Sequence, residues 1–222
     1  MLKINLRLIA LGIACSVMFL PSIVRAHEGH NHAAHAQRTT DAQEHDHQAQ
    51  PSPAEVKLGK YERSLQVYMV PDVTLVNADA RRMRIRDMLA ADGPVMLDFI
   101  FTSCATTCPV LSRELAMVPK KLGAAAPKLR LISVSLDPEN DTPARLKAYA
   151  MQFDAGANWQ FLTGRGEDID NLKQAFDVSH GSTLEAEPLT FLRPAPGKPW
   201  VRINGFASAE ELANEFRKVV TY

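Results

Sequence analysis

The stretch PVMLDFIFTSCATTCPVLSRELAMVPKKL, residues 94–122, sets two cysteines, Cys104 and Cys108, between a predicted strand and a predicted helix. The strand at 94–103 is a continuous apolar run, which is typical of a strand covered on both faces of its sheet. The helix at 108–122 has apolar residues at helical spacing, and a proline suits its first turn. These apolar positions are Val110, Leu111, Leu115 and Val118. A buried strand that leads into a helix is typical of α/β proteins.

Outward from this unit, strands and helices continue to alternate. Residues 70–85 indicate a hairpin or an edge strand, and residues 187–205 indicate two strands joined by a short turn. Further strands are predicted at 128–138 and 158–164, and further helices at 141–153, 167–178 and 208–220. The order predicts an α/β fold with helices on both sides of a sheet, whose last two strands are antiparallel.

Residues 1–26 have the pattern of a secretory signal peptide. A cationic start is followed by an almost wholly apolar run at 8–24 and by an acceptable cleavage site that ends at Ala26. Because this run has 17 residues, an uncleaved membrane anchor stays open as an alternative. We therefore expect an exported protein, periplasmic or anchored to the plasma membrane facing the periplasm, where disulfides persist.

Residues 27–54 form a histidine-rich tail and linker ahead of a folded domain at 55–222. The tail lacks large apolar side chains, so we expect it to be disordered. Clustered imidazoles bind Cu(II), Zn(II) or Ni(II), which makes a weak metal site one interpretation of the tail. The other is a soluble spacer with incidental affinity. The candidate ligands are His27, His30, His32 and His35.

The overall composition is that of an ordinary globular protein. Apolar residues make up 46% of the 222 residues and charged residues 23%. Lys and Arg together number 25, as do Asp and Glu. This balance gives no support for nucleic-acid binding, which usually requires a basic excess.

The position of the two thiols suggests redox chemistry. The start of a helix carries partial positive charge and free N–H groups, which stabilise a thiolate. Cys104 lies in the loop before the helix and is the more accessible nucleophile, whereas Cys108 can reach back to resolve a mixed disulfide. A metal site is an alternative. A merely structural disulfide would close a very small loop and stabilise the fold little.

Three acidic residues follow the second buried strand, in the segment DPENDTP at 137–143. We interpret Asp137, Glu139 and Asp141 as structural, with roles in strand exit and helix capping. Thr142 is the predicted N-cap of the helix that follows.

Three segments together resemble the Sco1/SenC family: FIFTSCATTCPVLSREL at 99–115, ISVSLDPENDTPARLKAY at 132–149 and WQFLTG at 159–164. The resemblance covers most of residues 67–178. It implies a thioredoxin-like fold, in which helices flank a central mixed sheet with an N-terminal hairpin extension. It also implies a membrane-associated protein that acts in copper delivery and thiol maintenance during cytochrome c oxidase assembly.

The resemblance further implies a copper site made of Cys104, Cys108 and a distal histidine, but this sequence has Ala186 where the family has that histidine. Two thiolates can hold Cu(I), which prefers soft ligands, whereas a tight Cu(II) site is harder to build without the third ligand. His180 is the histidine of residues 55–222 and lies six residues before this position. It is either a substitute ligand or an exposed loop histidine.

The segment EPLTFLRPAPGK at 187–198 resembles the late strand of thioredoxin-like reductases. That resemblance implies that Pro188 is a cis-proline that packs against the cysteine pair, helps to bind substrate chains and discourages metal binding. A cis bond before proline costs little compared with other cis peptides. The alternative is an ordinary trans proline at the start of an edge strand.

Three functional hypotheses follow. The first is an exported Sco-like thiol–disulfide oxidoreductase that needs no cofactor and acts on partner thiols or disulfides, including those of an oxidase copper-site subunit. In it Cys104 attacks, Cys108 resolves and Pro188 shapes the substrate groove. The second is a copper-binding chaperone that delivers copper to cytochrome c oxidase. The third, a thiol peroxidase, is disfavoured because the Pro-x-x-x-Thr-x-x-Cys pattern is absent before Cys104.

Overall fold

A mixed sheet of eight strands runs through residues 59–178 and 188–220, which are the residues that the computed structural model describes. The spatial order is β1-β8-β7-β4-β5-β6-β2-β3, with β4, β5 and β6 parallel and the other neighbours antiparallel. The strands are β1 (Lys60–Gln66), β2 (Thr74–Asn77), β3 (Arg82–Arg84), β4 (Val95–Ile100), β5 (Arg130–Ser135), β6 (Trp159–Thr163), β7 (Leu189–Arg193) and β8 (Trp200–Phe206).

Helices cover both faces of this sheet. They are α1 (Ile85–Ala90), α2 (Thr107–Leu122), α3 (Pro143–Met151), α4 (Gly166–Ala175) and α5 (Ala209–Val220), and a 3-10 helix (Gly123–Lys128) follows α2. Apolar residues of α2, α3 and α5 pack on one face in one core cluster, and those of α1 and α4 pack on the other face in a second. The predicted α/β fold with helices on both sides is therefore confirmed.

The carboxyl end of β4 leads directly to the cysteines, and the sheet register shows what lies beside it. β7 runs antiparallel to β4 with Asp98 opposite Thr190, so Pro188, just before β7, is level with the last residue of β4. β8 ends at the same edge of the sheet, where the Gly205 N–H donates to the Pro188 carbonyl at 2.8 Å. Gly205 has φ +113°, and a Cβ there would lie 2.4 Å from the Lys60 carbonyl oxygen of the neighbouring strand β1. This position of β8 therefore requires glycine.

Most predicted elements lie close to their observed positions. The hairpin predicted at 70–85 is β2–β3, and it joins the main sheet through β6. The predictions missed β1 and α1. β1 is an edge strand whose sequence KYERSLQ is mostly polar and exposed, so it lacks the alternation that marks a half-buried strand. α1 has only six residues, too few for a clear helical period.

Within residues 59–178 and 188–220, no helix has both the length and the apolar character needed to cross a membrane. The predicted leader at 1–26 and the histidine tail at 27–54 lie outside the described residues. The domain boundaries predicted for them remain predictions.

Candidate functional site

The two cysteines lie at the connection between β4 and α2, as the sequence predicted. The thiol loop, residues 101–106, connects Ile100 to Thr107. Cys104 is half-buried in this loop and Cys108 is buried in the first turn of α2, and both are free thiols. The Cys108 N–H donates to the Cys104 Sγ at 3.2 Å. The start of α2 therefore points a hydrogen-bond donor at the more accessible sulfur.

The surroundings shift the pKa values of the two thiols in opposite directions. Burial works to raise the pKa of Cys104, but hydrogen bonds from the N–H groups of Cys108, Thr106 and Thr107 and from the Cys108 side chain outweigh it, so the pKa is lowered. Burial raises the pKa of Cys108 strongly, and the neighbouring Cys104 and Asp98 add to the effect. Cys104 is thus the thiol that ionises first and can act as the nucleophile.

A buried acid lies under α2, on the face of β4 that also carries Met96 and Ile100. Asp98 Oδ1 accepts a hydrogen bond from Ser133 Oγ at 2.6 Å, and the same Oγ accepts from Trp159 Nε1 at 2.9 Å. Asp98 Oδ2 has no partner among the described residues. Burial raises the pKa of Asp98 to about 7, although the Ser133 hydrogen bond opposes the shift.

The continuous apolar run of this strand does not single out Asp98 as a site residue. The signal for it in the sequence is a single carboxylate within VMLDFIF. A buried carboxylate with one unpartnered oxygen is costly, which makes such a position worth notice even without a motif.

The acidic loop, residues 136–142, is only partly as predicted. Thr142 is the N-cap of α3, because its Oγ1 accepts from the Arg145 N–H at 3.3 Å. The carboxylate of Asp137 accepts two hydrogen bonds from the Asn140 side chain. Asp141 instead turns inward, is fully buried and accepts hydrogen bonds from Thr102 in the thiol loop. Its role reaches beyond the capping that the sequence predicted.

Several predicted site residues cannot be placed against the thiols. His180, Ala186 and the tail histidines lie outside the described residues. Pro188 is described, but the peptide bond before it joins it to Glu187, which is not, so the cis prediction also lies outside. The structure brings Cys104 and Cys108 together, and it places Pro188 at the same edge of the sheet.

Copper can be tested against the donors that are present. The Sγ atoms of Cys104 and Cys108 are soft donors of the kind that Cu(I) prefers. In the part of the chain that the structure describes, no group of three or more His, Cys, Asp or Glu side chains could hold a metal ion. The described residues therefore offer two thiol donors, and any third ligand would have to come from residues outside this part.

The chain is similar to known proteins in sequence and in fold. The SCO1/SenC family model matches residues 63–221. The SCO1 protein homolog of Bacillus subtilis (strain 168) is 40% identical over 99 residues, which are 44% of this chain and 50% of that protein. The chain spans about half the length, or less, of the curated relatives that it matches.

Solved structures show the same fold. BsSco, a member of the Sco family of cytochrome c oxidase assembly proteins in which a disulfide switch was identified, is 28% identical with a TM-score of 0.59, over 69% of this chain and 94% of that one. Copper-bound ScoI of Bradyrhizobium japonicum is 24% identical with a TM-score of 0.58, over 68% and 99%. The expected thioredoxin-like fold is confirmed. Because the family model spans well over half of the chain, including both cysteines and the acidic loop, this chain belongs to the SCO1/SenC family.

Proposed function

We propose that the chain is an exported thiol–disulfide oxidoreductase that acts on the cysteines of a partner protein, in the assembly of a respiratory oxidase copper site. The observation that carries this proposal is the difference between the two thiols. Cys104 is partly exposed, receives N–H hydrogen bonds and has a lowered pKa, whereas Cys108 is buried with a raised pKa. The Cys104 sulfur is therefore suited to attack a disulfide, and the Cys108 sulfur to resolve the mixed disulfide that forms.

The proposed reaction needs no cofactor. The Cys104 thiolate attacks one sulfur of a partner disulfide, so that a Cys104–partner disulfide forms and the partner's other sulfur leaves as a thiolate that takes a proton from water. Cys108 then loses its proton to water and attacks the Cys104 sulfur. This step forms the Cys104–Cys108 disulfide and releases the second partner thiolate. Two electrons pass to the partner, and the reverse sequence would oxidise it.

A copper chaperone is the second candidate, in which copper is cargo. It is supported by the two soft sulfur donors and by the copper-bound state of the structurally similar ScoI. In this proposal Cys104 and Cys108 hold Cu(I), and His180 or a tail histidine could complete the site. The histidines His27, His30, His32 and His35 would form a weak capture site for copper in the exported compartment.

The partner and the location complete the proposal. The partner is an exported protein with reactive thiols or a disulfide, and an oxidase copper-site subunit fits, because BsSco belongs to a family of oxidase assembly proteins. Membrane association would come from residues 1–26, as an uncleaved anchor. The balanced charge of the chain gives no reason to include a nucleic acid among its partners.

One experiment separates the two candidates. The reduced full chain is titrated with Cu(I) in competition with bicinchoninate, and in parallel its reduction of a peptide disulfide is followed by chromatography. We expect stoichiometric reduction of the peptide and loss of Cu(I) to the chelator. One equivalent of Cu(I) retained against the chelator, together with no reduction of the peptide, would favour the chaperone and contradict the redox proposal.

A further inference from the structure

The buried carboxylate of Asp141 connects the acidic loop to the thiol loop. Asp141 is fully buried, and its own N–H donates to the Asp137 carbonyl at 2.8 Å, which fixes the turn that presents it. The side chain accepts from the Thr102 N–H, at 3.0 Å on Oδ2 and 3.2 Å on Oδ1. The Thr102 hydroxyl also donates to Oδ1, and the Ser135 hydroxyl donates to Oδ2 at 2.6 Å.

Every partner of this carboxylate is a donor. One N–H and two hydroxyls surround the two oxygens, so a carboxylate suits the position better than an amide, which would add a donor of its own. Hydrogen bonds from several donors to one buried charge are the condition under which such a charge is tolerated inside a protein. The contacts therefore explain why an acidic side chain can be fully buried here.

The thiol loop depends on this anchor. Thr102 lies two residues before Cys104, and the Cys104 N–H donates to the Phe101 carbonyl at 3.2 Å, which closes a tight turn around Thr102. A second contact, from the Leu136 N–H to the Ile100 carbonyl at 2.7 Å, ties the first residue of the acidic loop to the end of β4, just before the thiol loop. The start of the turn is thus anchored to the acidic loop, and at its other end the Cys104 Sγ lies 3.2 Å from the Cys108 backbone nitrogen.

We infer that Asp141 is a positioning residue for the nucleophile: through Thr102 it holds the Cys104 sulfur against the N–H groups at the start of α2. Asp141 reaches Cys104 only through the hydrogen bonds to Thr102 and the turn that follows it, so it acts through geometry. This inference rests on the proposed function only in taking Cys104 as the reacting thiol.

The test measures how fast iodoacetamide alkylates Cys104 in the reduced full chain, with a metal chelator present and the site identified by mass spectrometry. For Asp141→Asn we expect the rate at pH 7 to fall about three- to tenfold, which corresponds to the loss of about one hydrogen bond to the thiolate. At pH 10 the rate should return to that of the wild type, because the thiolate is then formed without help.

Two further variants keep the test decisive. Thr102→Val removes one donor to Asp141 while keeping the branched shape and the backbone N–H, and should slow alkylation in the same direction but less. Asp168→Asn is the matched control, because Asp168 is also a buried carboxylate, but it pairs with Arg165 at 2.8 Å. Its loss should lower thermal stability and leave Cys104 alkylation unchanged.

The inference is overturned if Asp141→Asn and Thr102→Val lower the unfolding temperature but leave the pH profile of alkylation unchanged, which is the result of a purely structural role. If Asp141→Asn does not fold, the profile of Thr102→Val decides alone. Because alkylation requires neither a partner nor copper, a failure of the proposed function would leave the wild-type profile intact and can be told apart from a failure of this inference.

Discussion

Replacing Cys104 with serine is expected to slow the reduction of a peptide disulfide by about 1000-fold or more. The hydroxyl of serine is a far weaker nucleophile than a thiolate at neutral pH, and loss of a nucleophile typically costs several orders of magnitude. Cys108 cannot take over, because it is buried and burial raises its pKa. The measurement is a single-turnover rate, in which the reduced full chain is desalted and mixed with the peptide.

The third cysteine of the sequence, Cys15, lies in the predicted leader at 1–26. The control for this prediction is Cys15→Ser, which should retain the full rate. A Cys104→Ser chain that reduces the peptide within about tenfold of the wild-type rate would mean that another group attacks, and it would remove the basis of the proposed mechanism.

Asp98 is expected to make the chain less stable as the pH rises from 5 to 8. Burial raises the pKa of Asp98 to about 7 in the native state, whereas an unfolded chain has an aspartate pKa near ~3.9. Between these values the native state binds more protons than the unfolded state, so the free energy of unfolding falls with increasing pH. Over this range the loss from Asp98 should be about 2–3 kcal/mol, and it should level off above pH 7.

Asp98→Asn removes this titration while its oxygen can still accept from Ser133. The variant should therefore lose the part of the pH dependence that comes from this position, although its amide adds a buried donor that lowers stability equally at both pH values. Urea unfolding of both reduced proteins at pH 5 and pH 8 measures the difference. If the free energy of unfolding changes by the same amount between pH 5 and pH 8 in wild type and variant, Asp98 is ionised in the native state at both pH values.

The strand–loop–helix unit around the cysteines could be predicted from sequence, because each of its parts has a strong local signal. A continuous apolar run marks β4, helical spacing marks α2, and two cysteines between them indicate redox or metal chemistry whatever the rest of the fold. The N-cap Thr142 was predictable for the same reason, since a cap is a contact between near neighbours in sequence.

The long-range contacts of the site could not be predicted in this way. Asp141 and Thr102 are 39 residues apart, and nothing in either segment shows that one carboxylate turns inward while Asp137, four residues earlier, stays with its own loop. The raised pKa of Asp98 could not be predicted either, because it comes from burial by residues that are distant in sequence. The sequence could predict the residue types of the site, and tertiary packing decided which of them touch.

The most direct measurement of the proposed mechanism uses Cys108→Ser mixed with an excess of the oxidised peptide. If Cys104 attacks and Cys108 resolves, this variant should accumulate one peptide per chain as a mixed disulfide on Cys104, identified by mass and released by dithiothreitol. The wild type should pass through this species without accumulating it. Absence of the adduct in Cys108→Ser, or an adduct on a cysteine other than Cys104, would contradict the assignment of the two thiols.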